Sequence, residues 1–405
     1  MLVTLRDMVG LAELGEMRLV AGSAGLDRVL NWAHVVDLPD VTEWVKGGEL
    51  LFTTGIGIKS DLGQLAQIVR ECHKMAVAGL VINVGPYIEQ TPQEVIAVAD
   101  ELGFPVFELP WKVKIVEITR IIYNFIALKS IEEKSIKDIL ENILYGSPDS
   151  HEDILARAAS YDYDLDDCYQ IMVVKFDNLA AYLRETRVLT EHQILVFKSQ
   201  LQSKIEGILG RHGKRALTFI RLDTAIVMLP TRMNPKEQQT TREIASDIKA
   251  EFEIRFAGLK LHIGWGNPYS QVGEAKKGLS QAEQALRVAR SGGGTPNTMS
   301  FNELGFYKVL FNVKDRQELE GFRCEILRPL LDYDRDHQSE LVDTLSIFLE
   351  ENENYARVSS RLYIHRNTLK YRLQKIVELS GRDLNDSNDR MLLYFATIVH
   401  KFLSF

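Results

Sequence analysis

The chain has 405 residues, of which 45% are hydrophobic and 26% charged, and its formal net charge is -8. This length allows about two to four domains with buried cores, and the apolar content excludes a disordered chain. No window approaches the roughly 18 apolar residues of a membrane-spanning helix, and the N-terminal stretch meets acidic residues too early for a secretory signal. We therefore expect a cytoplasmic protein without a membrane partner. Taken alone, the acidic balance argues against nucleic acid as a partner.

Cysteine usage points to the same compartment. Cys72, Cys168 and Cys324 are odd in number and far apart. This spacing argues against a disulfide framework or a CxxC metal site and fits a reducing environment.

Residues 1–126 alternate short apolar runs with helix-like stretches. The runs cover 29–36, 50–54, 79–84 and 105–109. Strand and helix in alternation predict an α/β domain with a mainly parallel sheet. The domain holds ten Lys and Arg against sixteen Asp and Glu, so we do not expect it to bind phosphates.

A long amphipathic helix is predicted over residues 115–144. Its apolar residues, from Ile115 to Ile143, are mostly three or four apart and few helix breakers interrupt them. The length favours a linker or a dimer seam, while a helix packed within one domain is an equally open alternative. We assign residues 127–160 to a helical linker.

Residues 161–294 form a second domain of mixed α and β type. Its strand-like runs lie at 169–176, 215–222, 225–230 and 259–265, with helical patterns between them. The glycine-rich tract 291–296 reads as a linker, and residues 295–405 have helical periodicity. The predicted fold is thus multidomain, α/β plus all-α, with the last helical core at 338–405.

The strongest local pattern is a helix-turn-helix. Val358 and Leu362 lie at i and i+4 before a link of three residues, 363–365. The second helix has one apolar face and ends at Gly381, a plausible C-cap; its apolar residues are Leu369, Leu373, Ile376 and Val377. Two short helices in this arrangement are typical of DNA-binding proteins.

Charge supports this interpretation. Residues 355–382 contain seven Lys and Arg and a single acid, Glu378, which gives +6 and leaves -14 for the rest of the chain. A basic block on an acidic protein indicates a specific polyanion site. The predicted DNA contacts are Arg357, Arg361, His365, Arg366, Asn367, Thr368, Lys370, Tyr371, Arg372 and Gln374.

Two alternatives remain open at this point. The helical C-terminus could dock an acidic protein partner, or the chain could be a nucleotide-handling enzyme whose basic block is incidental. No HExxH, GxSxG or P-loop motif occurs, so we predict no catalytic residues, metal or cofactor. A single helix-turn-helix reads one half-site, so we expect a homodimer or higher homo-oligomer on double-stranded operator DNA.

The stretch 344–384, with its core IHRNTLKYRL, resembles the C-terminal helix-turn-helix of the purine catabolism regulator (PucR) family of bacterial transcription regulators. The core is also similar to the recognition helix of the Fis-type nucleoid protein. The resemblance extends to residues 35–58 and 99–110 and implies an N-terminal sensing domain for a nitrogenous metabolite of purine breakdown. It places base and phosphate contacts at His365, Arg366, Asn367, Thr368, Lys370 and Tyr371. The chain departs from the family in having Val358, Ser359 and Ser360 where alanines are usual.

The central region resembles a degenerate GGDEF-like domain. Asp177, in the segment KFDNL, stands where a diguanylate cyclase has its first metal aspartate, and 219–230 stands where the signature hairpin would be. HIGWG at 262–266 and the helix at 281–290 follow in the expected order. Residues 222–225 replace the signature glycines and acids, and without these residues neither close nucleotide contact nor two-metal chemistry is possible. We predict no cyclase activity.

The N-terminal domain offers a candidate effector site. In open α/β sheets, ligands bind at the carboxyl ends of the strands, and glycines there let backbone amides reach the ligand. The candidate residues are Gly47, Gly48, Thr53, Thr54, Gly55, Asn83 and Gly85. The alternative is that the glycines only serve tight turns and nothing binds.

Overall fold

The computed structural model describes residues 3–37, 45–58, 63–146, 151–161, 163–165, 167–291 and 297–404. These residues divide into two compact units, the first consisting of 1–142, 156–163 and 189–207 and the second of the remainder. No helix in the described ranges has the length and apolar content to cross a membrane.

The first unit is built on a five-stranded sheet. The strands are β1 (Arg18–Ala21), β2 (Trp32–Val35), β3 (Glu49–Thr53), β4 (Gly79–Val84) and β5 (Val106–Pro110). Their order is β1-β5-β4-β3-β2, with β2 to β5 parallel and β1 antiparallel to β5. The predicted parallel sheet is confirmed, and the antiparallel edge strand β1 was missed because it is short and half exposed.

Helices cover both faces of this sheet. The first unit's helices are α1 (Leu5–Val9), α2 (Gly63–Lys74), α3 (Gln93–Leu102) and most of α4 (Ile115–Tyr145). Helices α2 and α3 pack on one face, where alternate strand residues such as Leu51 and Leu80 point. Helices α1 and α4 pack on the other, around Phe52 and Phe107. Burial on both faces explains why the strands read as continuous apolar runs.

Helix α4 confirms the long helix predicted from the apolar spacing. Its first turns belong to the N-terminal core, since Ile118 and Ile122 are buried against the sheet. The hydroxyl of Tyr123 donates to the carbonyl oxygen of Ala33 on the edge strand β2, over 2.5 Å. For this part of α4, packing within one domain is the observed arrangement, whereas a dimer seam farther along the helix stays a prediction.

The second unit contains another five-stranded sheet and the helical C-terminus. Its strands are β6 (Tyr169–Phe176), β7 (Leu217–Arg221), β8 (Thr224–Pro230), β9 (Leu261–Trp265) and β10 (Thr298–Ser300), in the order β10-β9-β6-β8-β7. The helices of this region are α5 (His151–Ala159), α6 (Leu179–Glu185), α7 (Glu191–Arg211), α8 (Pro235–Arg255) and α9 (Ala275–Arg290). Helices α5 and α7 contribute to both units.

The C-terminal helices are α10 (Tyr307–Leu310), α11 (Arg316–His337), α12 (Leu341–Glu350), α13 (Tyr355–Leu362), α14 (Arg366–Ser380) and α15 (Ser387–Leu403). They pack around two apolar clusters, a larger one and a smaller one that contains Leu310 and Val399. Leu330, Leu345, Phe348 and Leu393 pack around the buried side of α13 and α14. The predicted multidomain fold, α/β followed by an all-α end, is confirmed.

Candidate DNA-binding surface

Helices α13 and α14 each have a capping residue at both ends. The Asn354 side chain accepts hydrogen bonds from the amides of Ala356 and Arg357, at 3.1 and 3.2 Å, and so begins α13. The C-cap of α13 is Tyr363, whose φ of 54° lies in the left-handed region. Helix α14 begins after His365, whose Nδ1 accepts from the Asn367 amide, and its C-cap is Gly381, with φ 66°. The predicted three-residue link and C-cap are confirmed.

One face of each helix is buried, and this decides which side chains can reach a ligand. Val358, Leu369, Leu373 and Ile376 are each at most 5% exposed. Val377 was expected on the same apolar face, but it is 36% exposed because the helix turns it away from the core. The opposite face of α14 is therefore the one available to DNA.

Eight of the ten predicted contacts are exposed. They are Arg357, His365, Arg366, Asn367, Thr368, Lys370, Tyr371 and Gln374. The other two, Arg361 and Arg372, are partly buried and engaged inside the domain. Arg372 donates to Glu340 at 3.2 Å and to the Thr344 hydroxyl at 3.0 Å.

Arg361 is held by two carboxylates. It lies 2.8 Å from Glu350 and 3.0 Å from Glu351, and Glu350 also pairs with Lys401 of α15. Burial works against the charge of Arg361, but hydrogen bonds and attraction from Glu351 and Glu350 outweigh it and raise the pKa of the guanidinium. Arg361 thus joins α13 to α12.

These ion pairs reduce the positive charge that residues 355–382 can offer to a ligand. Lys375 pairs with Glu378 at 3.1 Å and Arg382 with Asp389 at 2.9 Å, so four of the seven basic residues have an acidic partner. Within the described part of the chain, Arg357, Arg366 and Lys370 have no such partner. The uncompensated positive charge is concentrated on these three residues at the start of the two helices.

The proposed effector residues separate into two groups. Thr53, Thr54, Gly55, Asn83 and Gly85 lie at the carboxyl edge of β3 and β4, which run parallel. Gly47 and Gly48 instead precede β3 and lie at its amino end, so they cannot share a site at the carboxyl edge. Both have φ in the left-handed region, 102° and 81°, as a tight turn requires. The turn interpretation therefore fits these two glycines.

The carboxyl edge carries a polar cluster that sequence reasoning missed. Asp37 accepts from the Thr53 hydroxyl at 3.1 Å, the Thr54 amide at 2.7 Å and the Thr54 hydroxyl at 2.8 Å. Asn83 is buried and donates to the Leu109 carbonyl at 3.0 Å. Among the described strands, β2 to β5 follow one another in a single direction across the sheet, so no switch-point crevice of the kind that binds ligands in doubly wound folds lies between them.

At the other two glycines of this edge, Gly55 and Gly85, neighbouring side chains occupy the space that a Cβ would need. A Cβ on Gly85 would lie 2.5 Å from that of Trp111, and one on Gly55 would lie 2.5 Å from the Ile88 side chain. Trp111 and Tyr87 form an exposed edge-on pair beside them, with ring centroids 5.6 Å apart. The structure therefore gives these glycines a packing role, and an effector at this edge stays a prediction.

In the central domain, Asp177 is already paired. Its Oδ2 lies 2.5 Å from His262 Nδ1, and its Oδ1 lies 2.7 Å from Arg290 Nε. The hairpin between β7 and β8 turns at Leu222 and Asp223, and Asp223 pairs with Lys175 at 2.5 Å. Among the described residues, no group of three His, Cys, Asp or Glu side chains could hold a metal ion.

The chain matches three protein-family models. The Purine catabolism regulatory protein-like family matches residues 7–126, the GGDEF-like domain 145–288, and the PucR C-terminal helix-turn-helix domain 341–399. Together these models span most of the chain. They agree with the resemblances drawn from the sequence.

Curated relatives share low identity with the chain. The purine catabolism regulatory protein of Bacillus subtilis is 21% identical, over 98% of this chain and 99% of its own. The proline-responsive transcriptional activator PutR of the same organism is 23% identical, over 70% of this chain and 66% of its own. The transcriptional activator AdeR, also from B. subtilis, is 29% identical over 42% and 40%. The matched part thus spans just under two thirds of PutR and less than half of AdeR.

Proposed function

The chain belongs to the purine catabolism regulatory protein-like family, and from that premise we propose that it is a sequence-specific DNA-binding transcription regulator. Its recognition helix is α14, which enters the major groove with the exposed face that carries Asn367, Lys370 and Tyr371. The observation that carries this proposal is the set of three cations beside that face, Arg357, Arg366 and Lys370, which have no acidic partner among the described residues.

The exposed polar residues of α14 suit base recognition. Asn367 can form two hydrogen bonds with one adenine, and Gln374, about two turns of α14 farther along, can do the same with another. Arg361 and Arg372 stabilise the helix-turn-helix instead of contacting DNA, because their ion pairs with Glu350 and Glu340 join α13 and α14 to α12. We keep the other eight predicted residues as DNA contacts.

A homodimer or higher homo-oligomer brings two such helices to two half-sites, as a single helix-turn-helix reads only one. A small metabolite, of purine or other nitrogen catabolism, acts through the N-terminal domain. It must have different affinities for two conformations of the protein to change DNA binding. The family name and the proline response of PutR support a nitrogenous effector.

The central domain has a structural role in this proposal and no cyclase activity. Asp177 already contacts His262 and Arg290, so a divalent cation would have to displace both partners. Incubation of the purified protein with GTP and Mg²⁺ should yield no cyclic dinucleotide. Formation of that product would show that the domain is an enzyme.

Selection of bound sequences from random duplexes tests the main proposal. A regulator should enrich one motif, repeated as two half-sites whose spacing reports the symmetry of the oligomer. Affinity should fall steeply as salt rises. A protein-docking module would enrich no motif, and the absence of any duplex binding at low salt would refute DNA binding altogether. A thermal-shift survey of nitrogenous metabolites then tests the effector.

A further inference from the structure

A cleft opens where α13 and α14 begin. It has a volume of about 530 Å³ and is lined by Asn354, Tyr355, Ala356, Ser359 and Arg366. Of these residues, only Arg366 was singled out from the sequence as a DNA contact. The cleft therefore adds residues of α13 to the surface around the recognition helix.

Tyr355 lines this cleft and packs against the helical core. Its ring packs edge-on against Phe348 of the core, with centroids 5.5 Å apart. The guanidinium carbon of Arg366 lies 5.8 Å from the same ring's centroid, within the range of a cation–π contact. Among the described residues the Tyr355 hydroxyl has no hydrogen-bond partner, so its donor remains available.

The charge around the cleft selects an anion. Arg366 borders it directly, Arg357 lies in the first turn of α13, and Lys370 lies one turn farther along α14. None of the three pairs with a carboxylate in the described chain. The Asn354 side chain is already used to cap α13, so the remaining side-chain donors of the cleft are the Tyr355 hydroxyl, the Arg366 guanidinium and the Ser359 hydroxyl, which is buried and has no hydrogen-bond partner among the described residues.

The direction of the Arg366 side chain distinguishes a base contact from a phosphate contact, which the sequence could not do. Its guanidinium lies near Tyr355 on α13, whereas a base contact needs the side chain to extend with Asn367 and Lys370 into the groove. The first helix of a helix-turn-helix crosses the sugar-phosphate backbone. A guanidinium turned toward that helix is placed for a phosphate oxygen.

We infer that this cleft binds a DNA phosphodiester, with Tyr355 donating its hydroxyl and Arg366 held in place by the Tyr355 ring. Arg366 is then a backbone contact that fixes the register of α14 and does not read a base. The inference rests on the proposed function and names the ligand chemistry of a part of its surface that sequence reasoning missed.

Two substitutions in the full chain test the inference. Tyr355→Phe keeps the packing on Phe348 and removes only the hydroxyl, so affinity should fall about three- to tenfold, the effect of one hydrogen bond. The loss should be equal on a selected duplex and an unrelated one, with an unchanged melting temperature. Arg366→Ala should weaken binding to the selected site and to all its single-base variants by the same factor. Tyr87→Phe, an exposed tyrosine of the N-terminal domain, is the matched control and should bind as the wild type does.

Methylphosphonate substitution locates the contacted phosphate. With the wild type, neutralising one phosphate per half-site should cost more than Tyr355→Phe or Arg366→Ala alone, because both side chains contact that phosphate. In either variant the same change should cost less than it does in the wild type. The inference would be overturned if Tyr355→Phe bound DNA as tightly as the wild type, or if Arg366→Ala changed the base preference. In either case the proposed function would stand, because the wild type would still bind DNA. A wild type that binds no duplex would overturn both.

Discussion

Comparison of Lys370→Ala with Arg372→Ala tests which cations of the helix-turn-helix face DNA. The two residues are two positions apart on α14 and carry the same charge. Lys370 is exposed and has no acidic partner in the described chain, whereas Arg372 donates to Glu340 and Thr344. Sequence alone treats them as equivalent, and the structure does not.

The salt dependence of binding distinguishes them quantitatively. Each phosphate that a cation neutralises contributes about -0.9 to the slope of log affinity against log salt concentration. If all seven Lys and Arg of residues 355–382 each neutralised a phosphate, the slope would be about -6.3 per subunit. If only Arg357, Arg366 and Lys370 do so, the slope is about -2.7. In a dimer the two expectations become about -12.6 and -5.4, a difference far outside the error of a titration.

Fluorescence anisotropy of a labelled selected duplex, titrated between about 50 and 300 mM salt, measures the slope. Lys370→Ala should reduce its magnitude by about 0.9 per subunit and leave the free energy of unfolding nearly unchanged. Arg372→Ala should leave the slope as it is and lower the unfolding free energy by about 1 kcal/mol, because it breaks two internal contacts. A wild-type slope near the seven-contact value, or an equal loss of slope in both variants, would refute the assignment.

Three further predictions concern stability, measured by urea unfolding. Tyr363→Gly should raise the unfolding free energy by about 0.5 to 1 kcal/mol, since glycine adopts the left-handed φ without a Cβ penalty; a decrease would mean that the tyrosine ring stabilises the turn. Gly264→Ala would place a Cβ 2.3 Å from the Leu286 amide nitrogen and should cost about 3 kcal/mol or more, whereas Gly210→Ala, with no neighbour within 4 Å, should gain up to about 1 kcal/mol. Burial lowers the pKa of His400 from its usual 6.5, so the stability due to its neutral ring is complete above pH 6.5 and is lost as the pH falls below that value. His400→Gln should therefore flatten the decline of wild-type stability between about pH 7 and 5, and an unchanged decline would contradict this.

Much of the fold could be predicted from local pattern. Parallel strands buried on both faces gave continuous apolar runs, and β4 and β6 were predicted with the ends that the structure has. The helix-turn-helix followed from the spacing of Val358 to Ile376 and the cap at Gly381. Short-range periodicity suffices in these cases because each element buries one regular face.

Other features depend on residues that are distant in sequence. Asp37 meets Thr53 and Thr54 only because β2 and β3 are neighbours, and its strand end gives no local signal. The same holds for Asp177, whose partners His262 and Arg290 lie 85 and 113 positions away in the chain. Both polar clusters were invisible to motif spacing.

The basic block shows most clearly what each level determined. The sequence by itself established a net charge of -8, a +6 segment within it, and the helix-turn-helix that carries this segment. Only the tertiary structure decided which charges remain unpaired, because the acids that neutralise Arg361, Arg372 and Arg382 lie outside the segment and are brought to it by α12 and α15. Coulombic attraction depends on distance in space and not on separation along the chain, so the charge available to DNA could not be counted from the sequence.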